Sequence, residues 1–456
     1  MHWTLEFQSE RTLHLVVWHP FYTLVSYRDL WRFIVMMKKP LEHNVYFVIQ
    51  PLHFVSRILG LSPFHIDPNY TFRNKGGCTF CRIIQATVMI LLLLYGLYNS
   101  VLTFVENIYP TLNVTVRIVW IISVLISHLT CILTIIFAVT RNRNHMANLL
   151  YLLSRVDNKL FRNNSKQSAY LQQRSHLIKQ FWIMFILYGI VIASCAYSCI
   201  DGTWISYANT ASQTLSNLIN AVMIFQYVNI VQMVKQRYQH VKHMLSEAAA
   251  TDDVSYLRHT NVENLQSCKN HQVFSIVTNN LKSGRESHNL CRIHNFRVIY
   301  SELCDLLNYN NKSYEVTLLL DVTARLTFTV PAMYQGVMFM KVAILENGPF
   351  QIYFGGVSLL SLFAFMLFTF LWLTLCCQKT TEEVHDIFIC IQKLLIYPNA
   401  HGWRTSELKS FSSQLKNNKV EFNVCGFFTL NLQFFCTSLS VIFTYTLVLN
   451  QFSQGV

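Results

Sequence analysis

The stretch FNVCGFFTLNLQFFCTSLSVIFTYTLVLNQF, residues 422–452, decides how the rest of the chain is read. From Val424 to Leu449 it holds no Asp, Glu, Lys or Arg, and it exceeds the roughly 20 residues that a helix needs to cross a bilayer. It is not uniformly apolar. Thr437, Ser440, Thr444 and Gln451 follow one another at intervals of three, four and seven residues, which aligns them on one face of a helix. Lipid cannot satisfy hydroxyls and amides. The stripe therefore meets either a neighbouring helix, as a packing seam of small residues, or water, as the wall of a conduction path. On the second reading Leu447 or Val448, where the stripe is interrupted, forms an apolar constriction able to gate by dewetting.

Outward from this stretch, the 456 residues are 52% hydrophobic and 14% aromatic but only 13% charged, about half the charged share of an ordinary soluble domain. This is the composition of an all-α polytopic membrane protein. The net charge of +13 does not point to nucleic acid, because the basic residues are scattered between apolar segments with no basic helix or RNA-binding aromatic signature. Cys78 and Cys81 form a lone CxxC without the second pair a structural zinc site needs. Glu382 and His385 form one Glu-x-x-His where a carboxylate-bridged metal pair needs two. No phosphate loop, dinucleotide fingerprint or nucleophile elbow is present. The expectation is no enzyme, no metal and no cofactor.

Seven segments are long and apolar enough to span: 83–104, 118–139, 181–200, 215–234, 326–345, 352–376 and the final stretch. Domain organisation follows from them. Residues 1–82 form a cytosolic arm, broken by prolines and holding one or two short helices able to lie on the membrane surface. Residues 83–234 hold four spans, and 235–315 a cytosolic helical extension with a flexible linker at 251–289. Residues 316–376 hold the fifth and sixth spans, 377–423 a cytosolic anchor segment, and 424–456 the seventh span with a short external tail. Asp321 and Arg325 interrupt the hydropathy before the fifth span and are expected as an i,i+4 pair on a helix extending below the membrane. That placement leaves no acidic side chain at mid-membrane. His128, near a bilayer centre, is either a buried hydrogen-bonded side chain or a proton relay.

Orientation follows from the basic residues. Of 36 Lys and Arg, only Arg117 and Lys341 fall on one side of this arrangement. The positive-inside rule then places the N-terminus in the cytosol and the C-terminus outside. This is the reverse of G-protein-coupled receptors. Asn113 opens a glycosylation sequon on the outer side.

The terminal stretch also resembles a known family. Thr444-Tyr445, five mostly apolar residues and Gln451-Phe452 look like the signature in the last span of insect gustatory receptors, and Phe422 to Leu430 is similar to the pattern that opens that span. Asn431 stands where many members carry an acidic residue. The resemblance implies an inverted seven-span chemosensory receptor of the plasma membrane, a ligand-gated channel whose four subunits meet at an intracellular helical anchor, as a homotetramer or heterotetramer.

Site expectations join both lines of reasoning. Pore and gate fall to Thr437, Ser440, Thr444, Tyr445, Leu447, Val448, Gln451 and Phe452, with Glu421 biasing the cytosolic mouth toward permeant cations; Tyr445 could instead pack on a neighbouring span. The seventh span has no carboxylate ring, so selectivity among cations is expected to be poor. The external loops are too short to form a binding domain, so a small-molecule tastant, a plant compound or a sugar, is expected within the outer halves of the spans. Candidate contacts are Tyr95, Tyr98, Asn99, Trp120, Ser123, Tyr188, Tyr197, Asn217, Asn220, Tyr334, Gln335, Phe339, Tyr353 and Phe354, since aromatic walls with a few amides and hydroxyls suit such a ligand. Membrane interfaces favour Trp and Tyr as anchors in any case. Partners are then the tastant, membrane lipids, cations and related subunits. The alternatives are a G-protein-signalling receptor and a secondary transporter.

Overall fold

The computed structural model describes residues 45–62, 76–105, 114–141, 145–161, 163–198, 204–265, 273–345, 350–396 and 402–454, with side chains for fewer of them. Ten helices are described: α1 (Val45–Ile58), α2 (Gly76–Val105), α3 (Val114–Thr140), α4 (His145–Leu160), α5 (Asn163–Ser198), α6 (Trp204–Leu265), α7 (Val273–Leu345), α8 (Phe350–Ile396), α9 (Gly402–Asn417) and α10 (Leu432–Gln454). Seven of them, α2, α3, α5, α6, α7, α8 and α10, are long and apolar enough to cross a membrane. A two-stranded antiparallel hairpin, β1 (Asn423–Val424) and β2 (Phe428–Thr429), precedes α10 and departs from the all-α pattern. Its turn places Cys425 and Gly426 at positive φ, 48° and 75°, a conformation natural only to the glycine.

The bundle is organised around α6, whose most apolar window is 89% buried against 22% for α10. α6 packs against α2, α3, α5, α7 and α8, and α8 packs in turn on α5 and α7. α7 and α8 approach closely at Gly336 and Gly356. A Cβ on Gly336 would lie 2.9 Å from Leu360, and one on Gly356 would lie 3.2 Å from the Gly336 carbonyl oxygen, the close approach that small residues permit between membrane helices.

At the α4 end of the bundle, a charged core replaces apolar packing. Arg237 on α6 donates from Nε and Nη2 to both oxygens of Asp157 on α4, at 2.9 and 2.8 Å, and from Nη1 to the Met233 carbonyl at 2.9 Å. Tyr170 on α5 donates to the same carboxylate at 2.7 Å. Arg237 and Asp157 are fully buried. The fork geometry and the third donor compensate for the desolvation of the pair.

Several expectations are revised. α1 is not on the membrane surface: Val45, Val48, Ile49 and Leu52 are buried against α4, α5 and α6. Pro51 lies inside the helix rather than ending it. The 251–289 stretch is entered by helix from both sides, α6 to Leu265 and α7 from Val273. No Gly or Pro interrupts α6, so its backbone ladder has no intrinsic stop. The CxxC side chains and Asn113 lie outside the described residues.

The largest correction concerns Asp321 and Arg325. They form the expected i,i+4 pair, Nε to Oδ2 at 2.6 Å, but with 1% and 5% side-chain exposure. Ser123 donates to the Thr327 carbonyl at 2.8 Å and Thr130 to the Leu320 carbonyl at 3.5 Å. Residues 320–327 thus run beside 123–130, the middle of the α3 span. The pair is therefore level with the middle of the α3 span and sealed in the bundle, not on an exposed extension. Hydropathy misplaces it because a charge that brings its own counter-ion one turn away, and finds Thr369 on α8, does not need water.

Replacing Asp157 by Asn, or Arg237 by Met, leaves the other member buried without its counter-charge, which costs about 3–5 kcal/mol. The single variants should lower the melting temperature of detergent-solubilised protein and its surface abundance; replacing both should lose less than either, as read by fluorescence-detected size exclusion on heated samples. A second prediction concerns His145, outside the spans. It is 4% exposed, its Nδ1 lies 2.8 Å from Ser313 Oγ and its ring 4.6 Å from that of Tyr309. Burial pushes its pKa from 6.5 down to about 4, with the side chain of Asn310 acting in the opposite direction. The unfolded chain therefore takes up this proton first as pH falls, so stability should decline from pH 6.5 toward 4. A His145→Gln variant should flatten that slope in thermal melts across the interval.

Candidate functional site

α10 is built to show two different sides. Asn431 Oδ1 accepts from the Phe434 amide at 2.8 Å, and Gln378 of α8 accepts from the Leu432 amide at 2.9 Å. Two of the first-turn amides, otherwise left without partners, are thereby capped. An acidic residue at 431 would cap in the same way. From there Phe435, Ser438, Ile442 and Leu449 are buried on the side that packs against α7 and α8. Phe435 sits with Val322 and Phe370, and Leu449 with Tyr334. At about 100° per residue, Thr437, Ser440, Thr444 and Gln451 fall on the opposite side. All four are exposed in the single chain.

The stripe is longer than the sequence reading made it. Gln433 lies on the same face and is also exposed; its signal was the same three- and four-residue spacing carried one turn further back. Thr437, Ser440 and Thr444 donate to the carbonyls of Gln433, Cys436 and Ser440 at 3.0, 3.1 and 2.9 Å. The hydroxyl donors are thus met by their own helix, an option a glutamine amide at either end does not have. Leu447, 63% exposed, and the part-buried Val448 flank the gap in the stripe. Tyr445 is 59% exposed and does not pack into its own bundle. Glu421 is exposed just before the hairpin. The side chain of Phe452 lies outside the described residues.

The expected ligand contacts do not form one set. Tyr95 and Tyr98 are exposed on the outer surface of α2, 48% and 62%. Trp120 packs tilted against Phe328, the ring centroids 5.3 Å apart, and Ser123 is tied to the Thr327 carbonyl. Tyr334 serves the α7–α10 contact, and Phe339 packs beside Gly355. Tyr197, Phe350, Tyr353 and Phe354 make an aromatic cluster where α5 meets the start of α8, the Tyr197 and Phe354 rings 4.2 Å apart. Asn99 is buried on α2, and Gln335 is buried on α7.

A coherent polar face does exist on α6. Ser212 and Ser216 meet α3, through His128 at 2.9 Å and the Ser127 carbonyl at 3.2 Å. Thr214 gives its carbonyl to the Tyr188 hydroxyl of α5. Between those two flanks lie Gln213, Asn217 and Asn220, all buried. Both amide atoms of Gln213 and of Asn217 and the oxygen of Asn220 have no hydrogen-bond partner among the described residues. Sequence reasoning found the two asparagines but missed Gln213. Buried amides without partners are uncommon, and three of them side by side single this face out.

His128 is settled differently. Its Nδ1 faces the Val124 carbonyl at 2.9 Å, which can only accept, so Nδ1 carries the hydrogen and Nε2 accepts from Ser212. Both nitrogens are occupied, which is the structural reading of this residue. Among the described residues no group of three or more His, Cys, Asp or Glu could hold a metal ion.

A bundle of seven candidate spans with one helix half bare on its polar side is that of a multi-pass membrane protein, and the comparisons make it a receptor of the plasma membrane rather than an enzyme. A model of the 7tm chemosensory receptor family matches residues 49–455, and the chain belongs to that family. Among solved structures it is similar to the insect olfactory receptor OR5 from Machilis hrabei, with a TM-score of 0.61 over 88% of this chain and 97% of that one. The same receptor in complex with eugenol gives 0.60 over the same shares. Identity is 12% in both, so this likeness shows the fold. No curated protein matches by sequence. The resemblance to gustatory receptors thus holds at the level of the chemosensory family.

Cysteines placed singly at 437, 440, 444 and 451 should react with a water-soluble thiol reagent in intact membranes, and those at 438 and 442 should stay protected at least about tenfold longer, since burial by α7 and α8 excludes the reagent. Mass-spectrometric mapping of labelled peptides distinguishes them from the native Cys436.

Proposed function

We propose that the chain is a gustatory receptor: a ligand-gated, poorly selective cation channel that a small-molecule tastant opens directly. The observation that carries this reading is the placement of Gln433, Thr437, Ser440, Thr444 and Gln451 on the side of α10 that its own bundle leaves uncovered. One helix cannot enclose water, so conduction calls for several copies around an axis, and cyclic symmetry puts α10 of each subunit at the centre. Four subunits, identical or related, fit the resemblance. Leu447 and Val448 then form the apolar constriction, and Gln451 with Phe452 the outer end of the path. The absence of a carboxylate from α10 favours weak selectivity, while Glu421 at the cytosolic foot adds a cation bias.

The taste assignment rests on the terminal signature Thr444-Tyr445 to Gln451-Phe452. The eugenol complex of the fold neighbour supports a small organic ligand. Gln213, Asn217 and Asn220 favour one that also carries hydroxyls, whether a sugar or a hydroxylated plant compound. Binding favours the arrangement of the outer bundle in which α10 is displaced. The alternative of signalling through a G protein makes a different prediction. In excised patches bathed without GTP, the proposal expects tastant-evoked cation current in membranes expressing this chain, with or without a related subunit. Glu421→Gln should lower the cation preference, and Asn217→Leu should raise the half-maximal tastant concentration by about tenfold, the order of one lost hydrogen bond in a buried site. Tastant responses that vanish when the patch is excised and return with GTP would favour the G-protein reading.

A further inference from the structure

The ion pair within the membrane lies directly behind the seat of α10. Arg325 of α7 holds Asp321 through Nε at 2.6 Å and reaches across to α8, donating from Nη1 to Thr369 Oγ1 at 2.6 Å and to the Met366 carbonyl at 3.4 Å. One residue further along each helix, Val322 and Phe370 form the buried notch that receives Phe435, the Phe370 and Phe435 rings 5.4 Å apart. The charged tie and the notch are therefore consecutive layers of the same α7–α8 contact. Nothing about helix packing alone demands a buried charge here, since an apolar pair of similar volume would pack at least as well. An intramembrane ionisable pair, with its partner in place, points to function.

We infer that Asp321, Arg325 and Thr369 form a latch that holds α7 against α8 and thereby keeps the foot of α10 seated, so that gating requires the latch to yield. This rests on the channel reading of the protein. These are positioning residues: none faces the polar stripe. The latch is suited to a two-state element. While α7 and α8 are in register, the guanidinium has both its carboxylate and its hydroxyl; when they separate, it loses the α8 contacts but keeps Asp321, so the charge is never stranded. Separation loosens the notch around Phe435 and frees the lower end of α10, while Tyr334 and Leu449 still hold the upper end.

Two readouts test this. In excised patches, Thr369→Val, which removes the shorter of the two Arg325 contacts to α8 without stranding a charge, should raise ligand-free current per surface receptor by several-fold. Asp321→Asn should raise it by roughly tenfold, because an unpaired buried guanidinium favours any arrangement that lets water in. The double variant Asp321→Asn with Arg325→Met should fall well below the sum of the single effects, the signature of direct coupling. Independently of current, a Val322→Cys probe in membranes should be protected from a permeant maleimide in the otherwise unaltered chain and labelled several-fold faster with Thr369→Val. Normal surface levels with unchanged ligand-free current, additive effects, or a Val322→Cys probe whose labelling ignores Thr369→Val would each overturn the latch. Absence of any tastant-evoked current from the unaltered chain would overturn the channel reading instead, and the labelling result would then decide by itself whether residues 321, 325 and 369 hold the notch closed.

Discussion

Hydrocarbon offers no hydrogen-bond partners, and the arrangement of this chain follows from that constraint. Several polar groups that enter the bundle are met by a neighbour on another helix or by their own helix backbone. His128 is held between a carbonyl and Ser212, Ser123 reaches the Thr327 carbonyl, and Arg325 is shared between Asp321 and Thr369. These contacts set the registers of α3, α6, α7 and α8 more sharply than apolar packing does, because a side chain that slides by one turn along a greasy face loses little, whereas a buried guanidinium that slides loses its counter-ion. Two places stand out from it: the amide face of α6, where three neighbouring buried amides lack partners among the described residues, and the bare side of α10.

The two places are mechanically connected. α6 is the most enclosed helix and α10 the least, and the helices between them are α7 and α8, rods of 73 and 47 residues that run from the outer bundle into the cytosolic helices. The amide face of α6 lies inside the bundle, while α10 packs on α7 and α8. The cytosolic ends are anchored by the Arg237–Asp157–Tyr170 core and by Lys242, which pairs with Glu383 and Asp386 across α6 and α8.

How much of this was legible depended on whether a feature repeats along the chain. The seven spans were, because hydropathy is summed over many residues and errors at single positions average out. The bare face of α10 was, because a helix converts a spacing of three and four into a direction. Gln433 was overlooked at the edge of that pattern, and Gln213 at the start of a span, where periodicity has few terms to support it. The depth of Asp321 and Arg325 was misread for a different reason. A local hydropathy window scores two charges as a penalty, and whether they are paired and sealed is a property of α8, more than forty residues away in the chain. The enclosure of α1 was hidden likewise, its partners lying on α4, α5 and α6.

Taken by itself, the order of residues determined that the chain has seven segments able to cross a membrane, that its basic residues collect on one side of them, and that its last helix has one polar flank, since each of these depends only on local helix geometry and on the cost of moving side chains into lipid. Which side of that last helix is covered, which amides are left without partners, and that a charged pair stands behind Phe435 were decided only when distant helices came together. Contacts between elements are set by shape and by mutual satisfaction of polar groups, and neither quantity exists until both partners are in place.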